Sequence, residues 1–187
     1  MMISPMNALD PDLEHSIFIP DPWTKSSVKG GFFLKILHKS VSSIVNNNSN
    51  NRYRLIDLIL FLISFIRFAR MKNYLTYLNL IFNSRNKKWS KAILLDVLLS
   101  DVFISQFSPK KFNFGSIFLN GAAHIQHHYF FSSKVYQGNQ NNPDWYCSKK
   151  FDPVLEVYEA YDKVLGEIFY KFNNCLLYTS DAADDRV

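Results

Sequence analysis

The chain has 187 residues, enough for one domain of ordinary size, and 48% of them are hydrophobic, which supports a core and excludes global disorder. A net charge of +5 and a pI near 9.1 suit an anionic substrate or an acidic membrane surface, but the excess is too small and too dispersed to argue for nucleic acid. Two cysteines, Cys147 and Cys175, exclude a disulfide framework and a CxxC metal motif, and leave a reducing, cytoplasmic compartment as the default expectation.

In chain order, Met1-Met-Ile-Ser-Pro-Met-Asn7 has neither the basic nor the apolar region of a signal peptide, and residues 1–14 read as loop. Ser16-Ile-Phe-Ile19 is a short strand candidate. It is stopped by Pro20-Asp21-Pro22, because proline cannot donate to a ladder. Phe32 to Val45 reads as a helix with Phe33, Leu34, Leu37, Val41, Ile44 and Val45 near helical spacing. The run Asn46-Asn-Asn-Ser-Asn-Asn51 reads as a solvated loop.

Tyr53 to Met71 reads as a helix. Its apolar run, about a dozen residues interrupted by Asp57 and Ser64, falls short of the roughly 20 that a span requires. A buried helix, or one lying on a membrane surface, is the expectation. Asn73 to Asn83 reads as a further helical turn or two. Trp89 to Phe107 reads as a strong helix, with Ile93, Leu94, Val97, Leu98, Val102 and Phe103 repeating at three and four. Asp96 and Asp101 are five apart, do not share a face, and read as solvated. Residues 52–91 hold nine Lys or Arg and one Asp. Of these, Arg67, Arg70 and Lys72 cluster where the helix dipole favours cations, and a phosphate-bearing substrate or an anionic lipid surface is the functional alternative to simple end capping.

Farther on, Asp152-Pro153 marks a helix as N-cap and first helical residue. Val154, Tyr158, Tyr161, Leu165 and Ile168 follow as an amphipathic stripe, and Asp152, Glu156 and Glu159 near its start suit the dipole. From Cys175 the composition breaks into small acidic residues, so residues 175–187 read as a non-native tail outside the fold.

The chemistry gathers at Lys111 to Tyr129. Phe112, Phe114, Ile117, Phe118 and Leu119 read as a short buried strand, after which Asn120, Gly121 and two alanines let the backbone turn. Asn120 and His124 are four apart, and His127 and His128 follow. A buried strand that delivers polar side chains at its C-terminal end is how open α/β sheets build sites. Neutral imidazole is a common zinc ligand. The HExxH motif is absent, because Ile125 stands where its glutamate belongs, and no Cys pair supports a closed structural zinc site.

The spacing of Asn120 and His124 at the end of a strand resembles the alkaline phosphatase superfamily, which places a metal-binding Asp there with a His four residues later. Phe118-Leu-Asn-Gly-Ala-Ala-His-Ile-Gln-His-His-Tyr129 resembles the type I phosphodiesterase/nucleotide pyrophosphatase branch in particular. Ile17 to Trp23 is similar to a strand end that precedes the helical insertion of such proteins, and Asp152 to Gly166 is similar to a helix that follows. The resemblance implies an α/β fold: a partial alkaline-phosphatase-like domain over residues 1–174, with a largely helical insertion over 32–107 that caps the site. It also implies hydrolysis of a phosphate or sulfate ester assisted by a divalent metal, usually zinc. His124 would be a metal ligand. Asn120, which brings an amide oxygen and no charge, would stand in for the family's Asp. His127 and His128, which have no counterpart in the motif, would face the substrate and donate to its phosphate or sulfate oxygens, or else simply pack against Tyr129. The family's nucleophile and its Asp-His pair have no match, so the expectation is a middle piece that does not turn over substrate. A second reading is a non-enzymatic helical module that binds an anionic membrane surface or a protein partner through residues 52–91. The sequence sets no oligomeric state.

Overall fold

The computed structural model describes residues 1–6, 8–10, 12–47, 55–173 and 175. The expected tail beyond Cys175 and most of the asparagine run lie outside the described residues. Three strands of two residues each form a parallel sheet: β1 (Met2–Ile3) lies between β2 (Phe18–Ile19) and β3 (Ser116–Ile117). Met2 stands opposite Phe18 and Ser116, and Ile3 opposite Ile19 and Ile117. The ladder includes Ser4 N–H to Ile19 O at 2.7 Å and Phe118 N–H to Ile3 O at 3.0 Å.

The central strand comes from the segment expected to be loop. Two residues are too few to show an alternating pattern, and Met2–Ile3 is a strand only because its neighbours lie far along the chain. The expected strand over 112–119 narrows to Ser116–Ile117. As an edge it is not fully buried, and Phe114 is 64% exposed.

Four helices separate β2 from β3: α1 (Phe32–Asn47), α2 (Leu55–Phe68), α3 (Tyr74–Asn83) and α4 (Ser90–Gln106). A short 3₁₀ turn, Met71–Asn73, leads into α3. α1 and α2 pack together, joined by Ser43 Oγ–H donating to Asp57 Oδ2 at 2.6 Å. α4 is the central helix. It is buried nearly all round from Asp96 to Ile104 and packs against α2, α3, α5 (Gly121–Tyr129) and α6 (Pro153–Lys171).

α6 starts as its sequence dictates. Asp152 caps it by accepting from Leu155 N–H at 3.0 Å, with Pro153 in the first turn. Its buried face is Val154, Val157, Val164 and Ile168, with Tyr161 beside them. Tyr158, expected in that stripe, is half exposed, and its hydroxyl accepts from Gln126 Nε2 at 2.7 Å. The loop before α6 contributes Phe151 to the core against Trp89 and buries Cys147.

Asp96 and Asp101 correct the sequence reading most sharply: both are buried. Asp101 accepts from Arg70 N–H at 2.8 Å, Asn73 Nδ2 at 2.8 Å and Tyr77 Oη at 2.7 Å, which ties the α2–α3 connection to α4. Burial raises its pKa against those hydrogen bonds. Part of the basic run is also consumed internally. Arg70 and Lys72 pair with Glu167 at 2.6 and 3.0 Å, and Lys87 pairs with Glu156 at 2.8 Å.

Candidate functional site

Because the three strands are parallel, their C-terminal ends share one edge. Ser4 follows β1, Pro20 and Asp21 follow β2, and Asn120 closes the segment after β3. Beside this edge lies a cavity of about 600 Å³. Its polar wall is Ser4, Asp96, Asn120, Gly121 and His124, together with Lys88 and Lys91. Its apolar wall comes from the helices between β2 and β3, including Val41, Phe61, Leu80, Leu95 and Leu99. Ser4 is buried and held in the left-handed region at φ 54°, a conformation that costs a non-glycine residue about 1–2 kcal/mol.

Asn120 is the N-cap of α5, with φ −89° and ψ −9°, and its side chain makes no capping bond. The carboxylate of Asp96 takes that role from α4. Asp96 Oδ2 accepts from Gly121 N–H at 2.7 Å and from Tyr161 Oη–H at 2.6 Å, while Tyr161 Oη accepts from Ala122 N–H at 3.0 Å. The positive end of the α5 dipole is therefore answered from within the protein. Burial pushes the Asp96 pKa up to about 6, against the hydrogen bonds from Tyr161, Gly121 and Asn120. Burial and the Asp96 charge push the Tyr161 phenol up.

His124 follows one turn into α5, its amide donating to Asn120 O at 3.0 Å. Its imidazole is exposed and lines the cavity. Desolvation, and then the neighbouring His128 and His127, lower its pKa below the usual imidazole value. It is thus neutral at pH 7, the form that ligates metals and accepts hydrogen bonds. The His128 ring lies 4.7 Å from that of His124, and its Nδ1 is 2.9 Å from Tyr146 Oη. Neither His127 nor His128 is among the residues that line the cavity, and both are exposed.

A catalytic zinc takes three protein ligands. Among the described residues no group of three or more His, Cys, Asp or Glu side chains converges to hold a metal. Asn120 and His124 bring two donors at most, and Asp96, the nearest carboxylate in the lining, is committed to Gly121 and Tyr161. The described residues alone do not form a complete metal site.

No family model, curated protein or solved structure matches this chain.

The sequence reading placed Asn120 and His124 at a strand end, and both line the cavity. It missed Ser4 and Asp96. An acid flanked by Leu94, Leu95, Val97, Leu98 and Leu99 was the available sign that Asp96 is buried, since a carboxylate inside an all-apolar run needs a partner. Ser4 had no such sign.

Proposed function

We propose that this cavity binds a phosphate or sulfate ester, and that the chain is part of a metal-dependent, phosphodiesterase-like hydrolase of the alkaline phosphatase superfamily. One observation carries the reading: Asn120, His124, Lys88 and Lys91 meet on a single cavity at the C-terminal edge of a parallel sheet. Lys88 and Lys91 supply the positive charge that an ester anion calls for. Neutral His124 suits a hydrogen bond to an ester oxygen or a metal. The apolar wall suits the organic group of an ester better than a bare ion. His127 and His128 are exposed on the same helix outside the cavity lining, and in this reading they meet only a part of the substrate that projects from it.

Zinc is the metal this reading calls for. With two donors, these residues contribute to its site without completing it, so they hold substrate and do not turn it over. Imidazole NMR with added Zn²⁺, and separately with inorganic phosphate, tests the proposal. Selective shifts at His124, lost in His124→Ala, and phosphate affinity reduced in Lys88→Gln/Lys91→Gln are the expected results. Shifts spread evenly over all five histidines, or phosphate binding indifferent to both variants, would overturn it.

A further inference from the structure

We infer that the outer face of α2 and α3 is a docking surface for an anionic lipid bilayer, on which the helix pair lies without crossing. Every exposed residue of α2 except Arg67 is apolar, and Asn79 is the one exposed exception on α3. The exposures are large: Leu62 57%, Ile66 64%, Leu75 80% and Phe82 78%, with Met71 at 83% in the connection. The Phe65 and Tyr77 rings meet edge-on at 4.7 Å on the inner sides of α2 and α3, which leaves the exposed apolar residues of both helices on the outer sides. Exposed apolar surface of this extent marks a protein or membrane contact. α2 has 14 residues, and among the described residues no helix is long and apolar enough to cross a membrane.

Charge selects the occupant. Residues 55–91 carry seven Lys or Arg and a single acid, Asp57, which is buried against Ser43. Arg70, Lys72 and Lys87 are paired with carboxylates of α6. Lys88 and Lys91 line the cavity, which leaves Arg67 and Arg85 as the exposed cations beside this face, and neither makes an ion pair among the described residues. Arg67 ends the apolar face of α2 and Arg85 follows α3. An apolar face with cations at its ends is the composition of an interfacial helix on anionic lipid. A second copy of the chain would bring the same cations to the contact and no exposed carboxylate from this segment. The face shares Leu58 and Ile81 with the rim of the cavity, but the inference does not rest on ester binding there.

Vesicle sedimentation of the full chain tests it, using phosphatidylcholine alone and phosphatidylcholine with phosphatidylserine. Binding to the phosphatidylserine vesicles only, weakening as salt is added, is the expected result. Arg67→Gln/Arg85→Gln should weaken partitioning roughly thirtyfold, at about 1 kcal/mol per cation. Leu62→Glu/Phe82→Glu should abolish it with the circular dichroism spectrum unchanged, since both side chains are exposed. Failure to sediment, or equal binding to both vesicle types, would overturn the inference. So would a dimer in light scattering that Leu62→Glu/Phe82→Glu dissociates, which would assign the face to a second copy.

Discussion

Asp96 Oδ2 accepts a 2.7 Å hydrogen bond from the Gly121 amide, so a carboxylate from the middle of α4 fixes where α5 begins. Asp96→Ala strands two donors, Gly121 N–H and Tyr161 Oη–H, in a buried place. We expect a loss of about 3 kcal/mol in urea unfolding. Gly121→Ala should also destabilise, by about 1–3 kcal/mol, because a Cβ there runs into the Asp96 carboxylate and the Ala92 carbonyl leaves little room to yield.

The same carboxyl group makes stability depend on pH in an unusual direction. Its pKa is about 6 in the folded chain, against about 3.9 in an unfolded one. The folded state therefore holds the proton more tightly. The stabilisation is complete below about pH 4 and is lost as pH rises through 6. Compared with Asp96→Asn, the wild type should gain roughly 2–3 kcal/mol between pH 7 and pH 4. His124, whose pKa is lowered, titrates in both proteins and cancels in the comparison, and Tyr161 stays protonated throughout. Thermal melts of the two proteins across that range check the sign.

Asp101 gathers two donors from the α2–α3 connection, Arg70 and Asn73, and a third, Tyr77, from α3. Asp101→Ala should cost about 3 kcal/mol. It should also speed hydrogen exchange at the Arg70 amide more than at amides in α6, because that amide donates directly to the lost carboxylate.

Ser64 points the other way. Its hydroxyl is fully buried in α2 and has no hydrogen-bond partner among the described residues. Ser64→Ala should raise stability by about 1 kcal/mol, read as an upward shift in Tm.

These residues show which parts of the molecule were legible before its coordinates. The body of α4 could be read from its three-and-four repeat, and the start of α6 from Asp152-Pro153, because both signals are local. Asp96 and Asp101 could not be placed, because their partners (Gly121 and Tyr161 for one, Arg70, Asn73 and Tyr77 for the other) are set by tertiary packing. In α6 two series compete at adjacent positions. Val157 and Val164 took the core, leaving Tyr158 at the rim, where a phenol keeps its hydroxyl wet. Asn120 and His124 could be singled out by their spacing, and both line the cavity, whereas Ser4 depended on a strand that only distant neighbours create.

Cys147 lies 4% exposed in the loop before α6, its thiol pKa raised by burial, while Cys175 is only partly covered. The two sulfurs thus form a built-in timer. An alkylating reagent should reach Cys175 promptly and Cys147 only when the loop before α6 opens, so the delay between the two reactions measures how often that corner of the molecule breathes.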